Sequence, residues 1–224
     1  MKHIWYVRNC TLIFNIYKKP ITLPNKRTLS QWKNINGPRN LLHRAFSVFL
    51  FNDENKLLLQ QRSEEKITFP NVWTNTCCSH PLFFKEELEL ENQLGVKRAA
   101  VRKLEHELGI PPHEVSVDRF KYLTRLHYKA PCDTPSGTDP EWGEHEIDHL
   151  LFIKARVSIN MNPREVRDYK YVDATELRTM MSDTKLKWSP WFRKIESKLL
   201  PLWWENLDKT LETDDFVDGQ IHRL

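Results

Sequence analysis

The stretch TNTCCSHPL, residues 74–82, sets two cysteines side by side with a histidine two positions beyond the second. Neighbouring cysteines are too close for an unstrained disulfide and too crowded for a zinc ribbon, so the thiols must be read singly. Along an extended strand successive side chains face opposite sides. Cys77 then takes one face while Cys78 and His80 share the other, and one thiol can pack while its neighbour faces a cavity. Two small core residues would satisfy the same pattern. A second stretch, WGEHEIDH, brings Glu144 and Glu146 to one strand face, followed by Asp148 and then by apolar Leu150 and Phe152. Acids ahead of an apolar run point to a polar pocket at the strand's end, or to a sheet face left in water. His43 opens the apolar run of LLHRAFSVFL, where a partly buried structural histidine is the plain alternative to a ligand. Together His43, His80, Glu144 and Glu146 offer imidazole and carboxylate donors that suit a divalent transition metal, Mn2+ or Mg2+. Their spacing fits no short local zinc motif. Arg62 and Lys66 bracket a loop, and Arg102 and Lys103 share a helical segment with Glu107. If these charges converge beside a metal-binding carboxylate, the cleft suits a diphosphate.

The elements that must position these residues are legible from the middle of the chain onward. HRAFSVFLF, the turn NDEN and KLLLQQR read as two strands joined in a hairpin, and NVWTNTCCS as a third strand. ELELENQLGVKRAAVRKLEHELGIPP repeats apolar residues at helical spacing through Val96, Ala100, Leu104 and Leu108, and stops at Gly109. RFKYLTRLHYKA and GEHEIDHLLFIKARV read as further strands, separated by a loop whose prolines and glycine exclude a central strand. The tail from Ala174 supplies a short helix and a longer one, WFRKIESKLLPLWWENL. Strands in the middle with helices around them make the class α+β, with one mixed sheet. At 224 residues, 40% hydrophobic and 29% charged, the chain reads as one soluble domain with decorations. Its four cysteines form no disulfide framework, so reduced thiols in an intracellular setting are expected. The most apolar N-terminal run, IWYVRNCTLIFNIY, is broken by Arg8, Asn9 and Asn15 and is neither a membrane span nor a signal peptide. A net charge of +4 with acids and bases interleaved does not imply nucleic acid.

In order along the chain, HRAFSVFLFN, LLLQQRS, WTNTCCSHP, HELGIP, LTRLHYKA, WGEHEID and SPWF resemble the motifs of type I isopentenyl-diphosphate Delta-isomerases of the eukaryotic kind. The resemblance runs from about Leu41 to the C-terminus. It implies a Nudix-like mixed β-sheet flanked by helices over residues 41–224, preceded by an atypical arm over residues 1–40. It also implies interconversion of isopentenyl and dimethylallyl diphosphate in isoprenoid and sterol biosynthesis, by antarafacial protonation and deprotonation. Carried over by motif, Cys78 and Glu146 are the catalytic pair, with Tyr128 assisting proton transfer. His43, His80, Glu144 and Glu146 match ligands of a Zn2+ or Mn2+ ion. Glu107 matches the ligand of a Mg2+ ion on the diphosphate, with a backbone carbonyl at Cys78. Arg62, Lys66 and Lys103 match diphosphate contacts, Lys103 standing where arginine is frequent, and Trp191 matches an aromatic facing the cationic intermediate.

The same resemblance implies a further histidine ligand and a lysine upstream of LLHRAF, together with an opening strand of the VDENDxxIG type, and residues 1–40 carry none of these. A metal cage short of one ligand is expected to hold its ion less tightly. The helical segment RKLEHELGI also lacks the paired glutamates of Nudix pyrophosphohydrolases. Two rival functions remain in view: hydrolysis of that kind, and a non-catalytic isomerase-like protein that binds prenyl diphosphates. The expected partners are small-molecule substrates, with no nucleic acid and no membrane, and the expected state is a monomer. The terminal HRL weakly matches a peroxisomal address, so the expected location is the cytosol with import into peroxisomes.

Overall fold

A computed structural model describes residues 12–14, 20–22, 42–132 and 142–224. The expectations for residues 1–40 therefore lie almost wholly outside the described residues. Two short strands fall among them, β1 (Leu12–Phe14) and β2 (Pro20–Thr22), paired antiparallel with Ile13 opposite Ile21.

HRAFSVFLF carries large apolar side chains at both odd and even positions, which demands a strand covered on both faces. β3 (His43–Phe51) is that strand, with all nine residues buried. The other strands of its sheet are β4 (Leu57–Arg62), β5 (Trp73–Thr74), β6 (Cys77–Ser79), β7 (Lys121–Pro131), β8 (Gly143–Lys154), β9 (Val166–Val172) and β10 (Ile221–Arg223). The sheet runs β10-β7-β8-β3-β4-β5, with β6 also on β3 and β9 also on β4. β3 and β8 are parallel over nine residue pairs, beginning with His43 opposite Glu146.

The expected β3–β4 hairpin closes with a single pair, Phe51 opposite Leu57, after which the strands part and β4 pairs with β9. Thr76 fills the gap: its hydroxyl donates to Leu58 O at 2.6 Å and accepts from Leu50 N at 2.8 Å. Buried backbone groups that lose a strand partner need such a substitute. The expected third strand is likewise two strands, β5 and β6, broken at Asn75 and Thr76.

Each face of the sheet has its own core. Phe49, Leu59, Leu150 and Phe152 pack beneath the C-terminal helices, whereas Phe46, Val48, Leu151 and Ile153 pack against α1 (Leu94–Leu108). The segment before Leu94, expected to be helical, forms two 3-10 turns, Lys85–Glu87 and Glu91–Gln93. Gly95 lies against them so closely that a Cβ there would sit 2.5 Å from Glu87 O. α1 ends as expected at Gly109, at φ +63°, whose N–H caps Glu105 O.

α2 (Ala174–Ser182) begins with a capping box between Asp173 and Glu176. The single long tail helix is instead three: α3 (Pro190–Lys198), α4 (Leu200–Glu205) and α5 (Leu207–Glu212). Pro201 explains the first break, because it has no N–H for the preceding turn and its ring crowds that turn's carbonyl. β9 and β10 escaped the sequence reading because both are largely exposed and lack a clean two-residue alternation. The C-terminal residues are engaged in the sheet: β10 runs parallel to β7, and Leu224 N donates to His127 O at 3.2 Å. No described helix is long and apolar enough to cross a membrane.

Candidate functional site

Strand alternation decides the two cysteines. Cys77 points to the α1 face and is fully buried, while Cys78 packs on the other core and lines a narrow pocket with His80, Glu144, Glu146, Arg62 and Trp191. Both are free thiols. The Cys78 sulfur is held from several sides: the Trp191 indole N–H reaches it at 3.1 Å, Asn75 Oδ1 lies at 3.0 Å, and Ser47 Oγ lies at 3.4 Å. Ser47 in turn donates to Asp148 Oδ2 at 2.7 Å. Burial, with the charge of Asp148 behind it, pushes the Cys78 thiol up to about 12, so it rests protonated. Asp148 is itself lifted well above the carboxylate range by burial and then by Glu146.

The four donors named from the sequence do meet. β3 and β8 put His43 opposite Glu146, and Glu144 and Glu146 share a face one repeat apart. β6 then brings His80 onto the same face. His43 Nε2 stands 3.1 Å from His80 Nε2, 3.4 Å from Glu144 and 3.5 Å from Glu146, and all four donor atoms lie within 4.8 Å of one another. A tetrahedron of bonds about 2.05 Å long has edges of about 3.3 Å, so the spacing fits a divalent metal with four such ligands. His80 Nε2 and Glu146 Oε1 approach more closely, at 2.6 Å, as a hydrogen bond. Burial acts to lower the pKa of His43, but hydrogen bonds and charge from Glu144 and Glu146 outweigh it and raise the pKa to about 9. Burial acts the other way on Glu146, and both imidazoles overcome it to hold the carboxylate well below its usual range. Tyr128 sits opposite Glu146 in the β7–β8 register, and its buried hydroxyl has no hydrogen-bond partner among the described residues. Its pKa is raised by burial first and then by Glu146 and Glu144.

The remaining sequence candidates divide between the two faces. Glu107 lies on the α1 side, fully buried, with Lys103 Nζ at 2.9 Å and Lys66 Nζ at 3.3 Å on one oxygen. Its other oxygen accepts from Gln60 at 3.1 Å and from the Cys77 thiol at 3.5 Å. Cys77 is therefore a hydrogen-bond donor as well as packing. Burial would raise Glu107, yet the charges of Lys103 and Lys66 hold it well below the usual range. Lys66 also pairs with Glu165, which the sequence reading missed. Arg62 does not join this cluster. Its guanidinium donates to Thr68 O and Phe69 O and lies 5.8 Å from the Trp191 ring centroid, on the pocket side. Arg102 is bound to Glu87. Ser47 and Asn75 were also missed: Ser47 is visible as the one polar residue in the apolar run AFSVFLF, whereas Asn75 lies between two threonines and gave no such signal.

The chain and its fold have known relatives. A NUDIX domain matches residues 41–192. A Candida albicans protein named isopentenyl-diphosphate delta-isomerase is 48% identical over 229 residues, covering 95% of this chain and 78% of that protein. Isopentenyl-diphosphate delta-isomerase IDI1 of Gibberella zeae is 53% identical over 210 residues, covering 92% and 79%. The Mus musculus isopentenyl-diphosphate Delta-isomerase 1 is 50% identical over 195 residues, covering 85% and 82%. Among solved structures, DR0079 from Deinococcus radiodurans superposes with a TM-score of 0.54 at 13% identity, covering 85% of this chain and 99% of that one, a likeness of fold alone.

Proposed function

The chain belongs to the NUDIX domain family and, at 48% to 53% identity to relatives so named, to the isopentenyl-diphosphate delta-isomerases, and from that membership we propose how its own residues do the work. The reaction moves a double bond within a five-carbon diphosphate, from isopentenyl to dimethylallyl. A proton must be added to an unactivated alkene and another removed from the neighbouring methylene. The observation that carries the assignment is the pocket in which the Cys78 thiol, the Glu146 carboxylate and the Trp191 indole meet.

Cys78 donates its S–H proton to the terminal alkene carbon, leaving a thiolate and a tertiary cation. The Trp191 N–H at 3.1 Å is aimed at the charge that develops on sulfur, where a preorganised donor counts most. The indole π-system adds a wall that tolerates the cation, worth about 2 kcal/mol when desolvated. Glu146, ionised, takes the methylene proton and the new double bond closes. The proton then returns from Glu146 to Cys78, with the buried Tyr128 hydroxyl beside Glu146 as the intermediary. His43, His80, Glu144 and Glu146 would hold Zn2+ or Mn2+, which when bound supplies positive charge and fixes the Glu146 carboxylate. The cations expected to converge on a diphosphate are divided: Arg62 lines the pocket, whereas Lys66 and Lys103 lie with Glu107, the candidate for Mg2+, on the α1 side. Both Glu107 oxygens are engaged by neighbours, so Mg2+ there competes with Lys66 and Lys103.

The test is an isomerase assay on the purified chain with Mg2+ and Zn2+ added, read for dimethylallyl diphosphate and for released phosphate. Conversion without phosphate release is expected, and Cys78→Ala should lose at least roughly 1,000-fold in turnover, on the order of 4 kcal/mol of barrier. Phosphate release would make it a hydrolase. Tight binding without turnover would make it a non-catalytic prenyl-diphosphate binder.

A further inference from the structure

Asn75 has no role in the reaction as derived so far, yet it is fully buried in the turn between β5 and β6 and touches the reacting sulfur. Its amide nitrogen donates to Val48 O at 3.0 Å and to Cys77 O at 3.3 Å, which uses both N–H bonds. That fixes which end of the carboxamide is oxygen, because a flip would set Oδ1 against two carbonyls. The oxygen therefore faces Cys78 Sγ at 3.0 Å and accepts as well from Trp191 Nε1 at 3.1 Å and Thr74 Oγ1 at 2.9 Å. Thr74 Oγ1 is hydrogen-bonded at 2.8 Å to Ser189 Oγ, which caps the start of α3. One carboxamide thus ties β3, the β5–β6 turn and the helix carrying Trp191 to a common register.

We propose that Asn75 is a positioning residue for the proton donor: its Oδ1 receives the resting S–H of Cys78 and holds the Trp191 N–H between itself and the sulfur. The sulfur lies between an acceptor that takes its proton at rest and a donor that steadies it once the proton is gone. When S–H rotates toward the alkene, the sulfur itself need not move. The Trp191 N–H, shared in the resting state between Asn75 Oδ1 and Sγ, shifts onto the thiolate as charge develops there. Ser47 is a weaker holder, since its own proton goes to Asp148 and its oxygen is 3.4 Å from Sγ. Asn75 makes no hydrogen bond to Arg62, Lys66, Lys103 or Glu107, so the diphosphate contacts should be insensitive to it.

The proposal rests on the reading of Cys78 as the acid, and the experiment separates the two. Asn75→Ala and Asn75→Ser are assayed as full-length enzymes with kcat and KM corrected for folded fraction by thermal unfolding. A misplaced reacting group costs about 10 to 100-fold, so kcat should fall by that factor while KM stays within about twofold. The second variant keeps the measurement open if the first fails to fold. A double-mutant cycle with Trp191→Phe, which removes the N–H and keeps an aromatic body, should be non-additive in kcat. Unchanged kcat in folded Asn75 variants, a loss confined to KM, or additivity with Trp191→Phe would each overturn the proposal. If Cys78→Ala is inactive while the Asn75 variants are normal, only this inference fails. If Cys78→Ala turns over normally, the parent reading fails with it.

Discussion

The four-donor cluster makes metal affinity strongly dependent on pH, and the size of the effect follows from His43. An imidazole must be neutral to ligate, whereas the metal-free site holds His43 as an imidazolium until about pH 9. Binding at neutral pH therefore displaces at least that proton, and apparent affinity should rise about tenfold per pH unit, or roughly 1.4 kcal/mol. At pH 7 it should stand about 100-fold below its limit above pH 9, because two units separate the two. Glu146, already ionised, adds nothing in this range. Competition against a chelator of known proton affinity at pH 6.5, 7.5 and 8.5 measures the slope, and calorimetry in two buffers counts the protons released. His43→Gln should flatten the slope and weaken binding. A wild-type affinity for Zn2+ constant across that range would refute the reasoning. The same shift predicts a counter-trend in the metal-free chain. A raised His43 pKa stabilises the fold fully below pH 6.5 and is lost as pH rises through 9, a loss of up to about 3 kcal/mol. The depressed Glu146 reflects the same pairing and is not counted again.

Three further outcomes are expected. Lys103→Met should destabilise the chain by about 3 kcal/mol in urea unfolding, since it strips the nearest cation from a buried carboxylate; no change would show that Lys66 alone suffices. Cys77→Ala should cost about 1–2 kcal/mol of stability, through the lost contact with Glu107, and leave turnover within a few-fold; a collapse in rate at intact stability would exchange the roles of the two cysteines. Gly109→Ala should destabilise the chain by at least the cost of a strained positive φ, about 1–2 kcal/mol, and lower the thermal midpoint accordingly, because a Cβ there would also meet Asn160 O at 2.2 Å; an unshifted midpoint would contradict the C-cap geometry.

Much of the site was written in local patterns. Alternation along GEHEID sets Glu144 and Glu146 on one face, and alternation along CCSH separates Cys77 from Cys78 and joins Cys78 to His80, because a strand repeats every two residues whatever it packs against. The helical repeat ending at Gly109 placed Lys103 and Glu107 one turn apart for the same reason. These follow from backbone geometry and can be read from the order of residues alone. Which strands lie side by side cannot be read in that way. That β3 runs parallel to β8, with His43 opposite Glu146, depends on a crossover through most of the intervening chain, and no local signal encodes that register. Tertiary structure alone decided that Arg62 lies over Trp191 while Lys66 turns to Glu107, that the β3–β4 hairpin opens around Thr76, and that Asn75 and Ser47 flank the sulfur. Long polar side chains choose among partners that folding brings within reach, and those partners are distant in sequence. A buried donor or acceptor must be satisfied by whatever the packed sheet presents, so its contacts were fixed only when the two cores closed on either side.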